Sequence, residues 1–288
     1  MSVRIVHSNQ NARLKELRRA LVQPGRAEGG CAGIEGPKLI EEALRSGLVM
    51  PSVFVAQESQ GLLDSLVLPQ ETEVLLLPKA LLDAALTTET PQPIAALVEP
   101  PGWTWADLSE RRQGVALILD LAGLQDPGNL GTIVRSAEAF GATGVVSLPG
   151  TVSEWNPKAV RASAGSVFRV PILSATAKEC FAHLRKAGVK IWATALREAQ
   201  SADRIDLAHP TAFLIGNEGN GVPVELAAMA DGAVTIPCPG PVESLNASVA
   251  TSVLLYEASR QRTGSIPSHP SQTARRMGQP SQMIRKER

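Results

Sequence analysis

The feature that most constrains this chain is the regular alternation of short apolar runs with helical patterns. Six runs rich in Val, Ile, Leu and Ala predict strands after residue 113, and segments with helical spacing of apolar residues separate most of them. Strands that alternate with helices form mostly parallel sheets that helices cover on both faces. We therefore predict an α/β fold, with strands at residues 115–119, 144–148, 170–172, 191–194, 212–215 and 233–236.

Proline, glycine and polar residues divide the chain into two predicted domains. Residues 1–100 predict a small α/β domain, and residues 101–113, which begin with Pro-Gly and continue as a polar stretch, predict a linker. Residues 114–263 contain the parallel-sheet pattern and predict the larger domain. Residues 264–288 are polar, basic and interrupted by proline, so they predict a disordered tail. A chain of 288 residues is long enough for two such domains.

The remaining elements follow from the same patterns. The small domain has predicted strands at residues 31–34, 53–56, 73–77 and 94–98, and predicted helices at 11–22, 37–48 and 79–86. The larger domain has predicted helices at residues 130–140, 157–162, 178–187, 223–229 and 245–262.

Charge is distributed unevenly, although 28 basic and 28 acidic residues cancel. Residues 1–45 carry a net charge of +3, residues 46–110 carry −8, and residues 260–288 carry +6. Basic segments at both ends indicate contact with a polyanion such as RNA or DNA, or a solvated surface that binds nothing. The charge pattern alone leaves both interpretations open.

The composition excludes several protein classes. With 44% apolar residues, this is the composition of a soluble globular protein, and no apolar run approaches the ~20 residues that a membrane span needs. No signal peptide is visible at the N-terminus, and Cys31, Cys180 and Cys238 are too far apart in sequence to indicate a disulfide framework or a structural zinc site. We therefore expect a cytoplasmic protein. The four histidines are scattered, so no metal is expected, and Trp155 is predicted to lie on an exposed loop.

The first of three unusual loops is Asp126-Pro-Gly-Asn129, which follows a predicted strand and opens a predicted helix. A helix N-terminus presents free N–H groups and the positive end of the helix dipole at this edge of the sheet. Asn129 and Arg135 are six residues apart and can project toward one neighbourhood. Alternatively, Asn129 only caps the helix and Arg135 is solvated.

The second loop is Gly216-Asn-Glu-Gly-Asn-Gly221. Three glycines in six residues allow positive φ and a close approach of the backbone to a ligand. The spacing differs from the dinucleotide-binding G-x-G-x-x-G, and the Lys-Ser/Thr of a phosphate loop is missing. Glu218 among these small residues favours a ligand site over a simple flexible turn.

The third loop spans residues 236–248 and contains three alternate prolines, which exclude both a helix and a central strand. The loop must therefore bend and leave backbone groups free to bind. Ser244 is predicted as the N-cap of the last helix, with Asn246 in the first turn. A cap and a stiff connection account for Ser244 but not for the bend.

All three loops follow strand ends of one predicted sheet, where α/β proteins collect their ligands. Their motifs are Asn129-x-Gly131 with Arg135, then Ile215-Gly-Asn-Glu-Gly-x-Gly221, then Ile236-Pro followed by Glu243-Ser-Leu-Asn-x-Ser-Val-Ala250. Together they resemble the three ordered motifs of the SpoU (TrmH-type) RNA 2′-O-ribose methyltransferases of the SPOUT superfamily, over about residues 114–262. The N-terminal segments Ser8-x-Gln-Asn-x-Arg-Leu-Lys15 and Glu35-Gly-Pro-Lys-Leu-Ile-Glu-Glu-Ala43 are similar to the L30e-like substrate-binding domain of rRNA-modifying members.

The resemblance implies a fold and a cofactor. Members of this family form a deep trefoil knot in the catalytic domain, although knotted chains are rare, and S-adenosylmethionine binds in the knot. By motif position, the resemblance implies that backbone groups of Gly216, Ile236 and Leu245 hold the cofactor. Thr194 is expected at the edge of that pocket.

The resemblance also implies catalytic residues. Arg135 matches the arginine that is proposed to activate the ribose 2′-hydroxyl. A guanidinium is a weak base at its pKa of ~12.5–13.8, so it could equally orient the hydroxyl and clamp the adjacent phosphate. Asn129 and Glu218 are expected to order the arginine and the substrate, and Ser244 and Asn246 to shape the site.

Partners and alternatives follow from the same comparison. Family members are dimers, and the apolar side of the last helix, with Val249, Val253 and Leu254, suits either a homodimer contact or the intrachain core. The basic first helix, with Arg13, Lys15, Arg18 and Arg19, is the expected RNA-binding surface.

An rRNA substrate of the 23S type is favoured because of the N-terminal domain, and tRNA is the alternative because of the basic tail. A non-catalytic RNA-binding protein on the same fold is a further alternative. A nucleotide-dependent metabolic enzyme is disfavoured because its fingerprint is missing.

Overall fold

The computed structural model describes residues 2–23, 30–110, 115–242 and 244–263. The predicted disordered tail at 264–288 and the end of the predicted linker therefore lie outside the described residues. Within these ranges the chain forms two sheets, one before and one after residue 100. The predicted α/β fold with a mostly parallel sheet is confirmed.

The first sheet has five strands in the order β1-β4-β3-β5-β2. β1 and β3 run parallel to β4, whereas β5 runs antiparallel to both β3 and β2. β1, an exposed strand at the edge of this sheet, was not predicted, and α2 and α3 end three residues earlier than predicted. The strands are β1 (Ser2–Ile5), β2 (Ala32–Glu35), β3 (Ser52–Ala56), β4 (Glu73–Leu77) and β5 (Ile94–Val98), and the helices are α1 (Ala12–Val22), α2 (Pro37–Arg45) and α3 (Lys79–Asp83).

The second sheet has seven strands in the order β10-β12-β9-β11-β6-β7-β8, and all of its strand pairs are parallel. Both the first strand and the third start two residues later than predicted, and the two-residue strand β10 was not predicted. The strands are β6 (Leu117–Leu121), β7 (Gly144–Ser147), β8 (Ile172–Ser174), β9 (Lys190–Thr194), β10 (Gln200–Ser201), β11 (Thr211–Ile215) and β12 (Gly232–Thr235). The helices are α4 (Trp105–Glu110), α5 (Pro127–Ala139), α6 (Pro157–Ser163), α7 (Ala177–Lys186), α8 (Val224–Ala227) and α9 (Ala247–Thr263).

Strand order determines where the site forms. The chain leaves β6 toward β7 on one side, whereas β11 pairs with β6 on the other side. The loops after β6 and β11 therefore face each other across the point where the strand order reverses, which is where open α/β sheets bind ligands. β12 lies two strands away from β11 and ends at the same edge, so the third loop enters the same region.

Helix α5 is set in place by a cap and by a glycine. The Asp126 carboxylate accepts a hydrogen bond from the Asn129 backbone N–H at 2.8 Å, and Pro127 occupies the first turn. Asn129 is therefore not the N-cap but lies inside the first turn. A Cβ on Gly131 would lie 2.3 Å from the Ala159 carbonyl oxygen, so α5 and α6 pack with their backbones in close approach.

The predicted linker at 101–113 contains a helix that was not predicted, because residues 105–110 form α4. Leu108 is only 1% exposed, and a Cβ on Gly144 would lie 2.4 Å from the Leu108 Cγ. Trp105 stacks on His183 of α7, with ring centroids 4.3 Å apart. The stretch looks polar in sequence, but its few apolar residues fall on one helical face and bury against the second sheet.

Trp155 was predicted on an exposed loop, and the prediction of its exposure is wrong. Its side chain is 5% exposed and packs on the Phe168 ring at a centroid distance of 5.9 Å. A large aromatic side chain gains more from burial than a loop position in the sequence suggests.

Candidate active site

The three motif loops meet in one chain of hydrogen bonds. The Asn129 side-chain amide donates to Glu218 Oε1 at 3.1 Å, and the Asn246 side-chain amide donates to Asn129 Oδ1 at 3.1 Å. One residue from each loop thus takes part, although these residues lie 89 and 117 positions apart in the sequence. The structure brings together Asn129, Glu218 and Asn246 as the sequence predicts.

Glu218 also bonds the backbone that leads into α5. Its carboxylate accepts hydrogen bonds from the backbone N–H groups of Gln125 at 3.3 Å and Asp126 at 3.2 Å. Partial burial works against the charge, but the Asn129 amide and these backbone groups outweigh it and hold the pKa of Glu218 below its usual value. Glu218 is therefore an ionised acceptor near neutral pH, and it fixes both the loop and the Asn129 amide.

Asn246, not Ser244, is the N-cap of α9. Its Oδ1 accepts hydrogen bonds from the Ser248 backbone N–H at 2.9 Å and from the Ser248 hydroxyl at 2.7 Å. These bonds orient the amide so that its NH₂ group faces Asn129. Ser244 lies two residues earlier and is exposed. Both residue types cap helices, so the sequence Ser-Leu-Asn allows either choice.

Arg135 lies two turns into α5 and is exposed. Within the described part of the chain, its guanidinium makes no ion pair or hydrogen bond. The next residue, Ser136, shares a hydrogen bond of 2.7 Å with Ser252 of α9. Thr132, one turn before Arg135, lines a shallow apolar hollow against α9. Arg135 is therefore presented to solvent on the α5 surface that borders α9.

The glycine-rich loop is a closed turn. The backbones of Asn217 and Gly221 exchange hydrogen bonds of 3.0 and 2.9 Å, and Gly221 has a φ of +68°. A Cβ on Gly216 would lie 2.0 Å from the Gly221 carbonyl carbon, so no side chain fits there. Any substitution of Gly216 would therefore deform this loop, so loss of cofactor binding in such a variant would not show that Gly216 contacts the cofactor.

The predicted cofactor residues line the same edge of the sheet. Gly216 is buried, and its N–H donates no hydrogen bond to any residue that the structure describes. The N–H groups of Ile236 and Leu245 are likewise unpaired within the described residues. Thr194 at the end of β9 donates its hydroxyl to the Leu214 carbonyl at 3.1 Å, so this hydroxyl holds two strands together.

Two residues next to this network were not singled out from the sequence. Lys158 of α6 lies 3.0 Å from the Asp126 carboxylate, and the Asn129 N–H and this amine lower the pKa of Asp126. The Asn217 amide donates to the Gly123 carbonyl at 2.9 Å. The sequence Asp126-Pro-Gly could have indicated Asp126 as an N-cap. No local pattern in the sequence indicates the contact between Lys158 and Asp126.

The four basic residues of α1 have different environments. Lys15 and Arg19 are exposed. Arg13 forms ion pairs with Glu16 at 2.9 Å and with Glu73 at 3.4 Å. Arg18 donates to a backbone carbonyl at 3.3 Å, and its Nε is buried without a hydrogen-bond partner among the described residues.

Two features are absent from the residues that the structure describes. No helix there is long and apolar enough to cross a membrane. No cluster of three or more His, Cys, Asp or Glu side chains suited to a metal ion occurs there either.

The fold and the site together define an α/β protein whose three loops converge on a hydrogen-bonded Glu-Asn-Asn chain at the carboxyl edge of a parallel sheet. This is the class of the SPOUT methyltransferases. The chain belongs to the SpoU rRNA methylase family: the model of that family matches residues 116–256. The model of the MRM3-like substrate binding domain matches residues 11–96.

Similar proteins and solved structures support this family assignment. The chain is 32% identical to the 23S rRNA (guanosine(2553)-2'-O)-methyltransferase RlmP of Bacillus subtilis, over 87% of this chain and 97% of that protein. It is similar to AdoMet-bound rRNA methyltransferase from Sinorhizobium meliloti, at 32% identity and a TM-score of 0.78 over 90% of this chain and 98% of that one. It is also similar to the SpoU methyltransferase AviRb from Streptomyces viridochromogenes in complex with AdoMet, at 28% identity and a TM-score of 0.76 over 89% of this chain and all of that one.

Proposed function

We propose that this protein transfers a methyl group from S-adenosylmethionine to a ribose 2′-hydroxyl of ribosomal RNA, of the 23S type. The observation that supports the proposal most directly is the hydrogen-bonded chain of Glu218, Asn129 and Asn246, which joins all three motif loops. The exposed Arg135 lies on the same helix as Asn129. Family membership supports the reaction type. The 23S rRNA substrate of the Bacillus subtilis relative favours ribosomal RNA over tRNA.

The backbone groups at the sheet edge suit the proposed cofactor. The N–H groups of Gly216, Ile236 and Leu245 are available within the described residues, and Gly216 is buried. The alternate prolines that follow Ile236 lack N–H groups and stiffen the loop. S-adenosylmethionine supplies an electrophilic methyl group on a sulfonium. The observed strand order is compatible with the knotted topology of the family, and the knot stays a prediction.

The side chains would then act on the RNA. Glu218 holds the Asn129 amide in one orientation, and Asn246 does the same from the α9 side. Arg135 would place its planar fork on the ribose and the adjacent phosphate and favour loss of the hydroxyl proton. Because methyl transfer is an in-line displacement, this alignment is the main contribution that the protein makes. Ser244 stays a candidate for contact with the substrate.

The surface of α9 supports a homodimer. Val249, Val253 and Tyr256 are 48%, 39% and 44% exposed, and they line one shallow hollow between α5 and α9. Leu254, which the sequence placed with them, is buried in the chain's own core. An exposed apolar stripe beside Arg135 suits an interface at the active site.

The RNA-binding surface of the N-terminal domain is proposed to centre on Lys15 and Arg19, because both are exposed. The two paired residues of α1, Arg13 and Arg18, would contribute less. The Bacillus subtilis relative methylates a guanosine, and a Streptomyces viridochromogenes relative, 32% identical over 66% of this chain, is a 23S rRNA uridine 2'-O-methyltransferase. The shared site is therefore not expected to select the base. A cytoplasmic location is part of this proposal, and the three cysteines are free.

The test compares Arg135→Ala, Arg135→Lys and a control, Arg204→Ala, which removes another exposed arginine. Single-turnover methylation of a 23S rRNA transcript should fall about 10²-fold or more in Arg135→Ala, the scale of general-base loss. Arg135→Lys should not restore it, because an ammonium lacks the bidentate fork. Cofactor binding, measured by calorimetry, should stay unchanged in all three variants.

Each contrary outcome has a distinct meaning. Near-normal methylation by Arg135→Ala would refute the role of Arg135 and leave the enzyme class intact. Failure of the unmodified protein to bind S-adenosylmethionine would instead indicate a non-catalytic RNA-binding protein. Mapping of 2′-O-methyl groups in rRNA and tRNA from cells with and without the gene would identify the substrate.

A further inference from the structure

We propose that Arg169 is a positioning residue that locks the N-terminal domain onto the catalytic helix α5, so that RNA held by one domain meets the site of the other at a fixed geometry. The consequence for RNA rests on the function proposed above. The claim that Arg169 fixes the two domains relative to each other rests on contacts in the structure.

Arg169, which lies between α6 and β8, contacts both α5 and the C-terminal end of α2. Its guanidinium forms a bidentate pair with Glu138 of α5, at 2.6 Å from Nε to Oε1 and 3.0 Å from Nη2 to Oε2. Its Nη1 donates to Glu42 Oε2 at 2.8 Å and to the Ser46 hydroxyl at 3.2 Å, both in the N-terminal domain. Arg45 also pairs with the other Glu42 oxygen at 2.8 Å. The planar fork of arginine suits such a junction, whereas an ammonium does not.

The backbone beside Arg169 shows that the two domains touch closely. Gly165 has a φ of +87°, and a Cβ on it would lie 2.9 Å from the Glu42 Cβ. Ala164, just before it, has a φ of +50°, which is uncommon for a residue with a side chain. The turn after α6 is therefore held in a left-handed conformation directly against α2. No bulkier residue than glycine fits position 165 with the domains in this arrangement.

The apolar cores of the two domains are also joined. Ile40 and Ala43 of the N-terminal domain belong to the same continuous cluster of buried residues as Val160, Val167 and Phe168 of the catalytic domain. Domains that share only a linker and a small polar interface move relative to each other. A shared apolar cluster with an arginine junction at its border opposes such motion.

The lock acts on the helix that carries the site. Glu138 lies one turn after Arg135 on α5, and Asn129 lies in the first turn of the same helix. Through Arg169, the orientation of this helix is coupled to α2, and α2 follows β2 in the domain that is expected to bind RNA. Loosening the junction should therefore weaken the use of RNA that spans both domains, without changing how the cofactor binds.

The experiment uses Glu42→Gln as its main variant. This change weakens the ion pair between Arg169 and the N-terminal domain, and it leaves the bidentate pair of Arg169 with Glu138 in place. Arg169→Ala removes the contacts with both Glu138 and Glu42, and Arg169→Lys retains the positive charge but not the planar fork. Arg260→Ala is the matched control, because Arg260 forms a similar bidentate pair with Glu257 within α9, at 2.9 and 2.7 Å, and joins no domains. All variants keep the full chain.

Three measurements decide the outcome. Small-angle scattering should show a broader distribution of dimensions for Glu42→Gln and Arg169→Ala than for the unmodified protein or the control. Methylation of a 23S rRNA transcript should show a KM raised about tenfold, a kcat reduced less than threefold, and an unchanged Kd for S-adenosylmethionine. Arg169→Lys should fall between Arg169→Ala and the unmodified protein. Thermal unfolding identifies any variant that has merely lost its fold.

Unchanged scattering and unchanged KM in Glu42→Gln would overturn the proposal. A loss of kcat with an unchanged KM would do so as well, because it would make Arg169 a support of α5 alone. If the unmodified protein methylates no RNA, the proposed function fails, and the scattering comparison still decides whether Arg169 locks the domains.

Discussion

Asp120 makes the stability of this protein depend on pH. It lies on β6 in the middle of the second sheet and is fully buried. Its Oδ1 accepts a hydrogen bond of 3.3 Å from the Cys180 thiol, and its Oδ2 has no hydrogen-bond partner among the described residues. Burial raises the pKa of Asp120 from 3.8 to about 7, and the thiol hydrogen bond offsets only part of that effect. The same burial, with the nearby carboxylate, raises the pKa of Cys180, which stays a thiol across this range.

The sign of the effect follows from proton binding. Below pH 3.8 the carboxyl is protonated in both the folded and the unfolded chain. Between about 4 and 7 the unfolded chain releases the proton while the folded chain keeps it, so the free energy of unfolding falls as the pH rises. The interval from 3.8 to about 7, at about 1.36 kcal/mol for each pH unit, corresponds to about 4 kcal/mol. About 3 kcal/mol of this loss falls between pH 5 and pH 8.

The perturbation is Asp120→Asn, which has nearly the same shape and does not ionise. Urea unfolding of both proteins at pH 5 and pH 8 gives the free energy of unfolding in each case. Other titrating groups are shared, so they cancel in the difference between the two proteins. We expect the variant to gain about 3 kcal/mol on the unmodified protein between pH 5 and pH 8. Asp120→Leu should behave in the same way if the amide is not tolerated. A difference that does not change with pH would refute the argument.

Three further predictions follow from the packing and the surface. Gly131→Val should lower the free energy of unfolding by about 1–3 kcal/mol, because its side chain would press on α6, whereas Gly61→Ala, with open space around it, should change little in the same denaturant titration. Val253→Asp should convert a dimer into a monomer in light scattering, and an unchanged mass would remove this face as the interface. Lys15→Ala should weaken binding of a 23S rRNA transcript and lower its salt dependence, whereas Arg13→Ala, already paired with acids, should have a smaller effect; equal losses would contradict the assignment.

Local patterns in the chain were sufficient for the class of fold and for the meeting of the three motif loops. The alternation of apolar runs predicted the parallel sheet because parallel strands that are buried on both faces must be apolar along their length. The positions of Asn129, Glu218 and Asn246 in loops after strands predicted that they would meet, because parallel strands present their carboxyl ends at one edge. The resemblance to a family added their roles, which stay predictions.

Local patterns did not predict the structure where a segment could adopt two conformations that its own sequence favours equally. Ser244 and Asn246 can both cap a helix, and the hydrogen bond from Asn246 to Asn129 accompanies the second choice. The sequence of residues 105–110 is typical of a polar linker, but in the structure Leu108 packs directly on Gly144. In both cases the deciding contact comes from a residue more than 30 positions away.

The contacts that join the domains and those that bury charge are the furthest from prediction. Arg169 and Glu42 lie 127 residues apart, and Asp120 and Cys180 lie 60 apart. Each pair looks, in its own segment, like ordinary surface or core residues. Such contacts form only when a whole sheet or a domain interface has already brought the segments together, since no local preference favours closing loops of that length. The alternation of strands and helices therefore specified the scaffold and the loops, whereas packing between distant segments set the cap of α9, the protonation of Asp120 and the junction at Arg169.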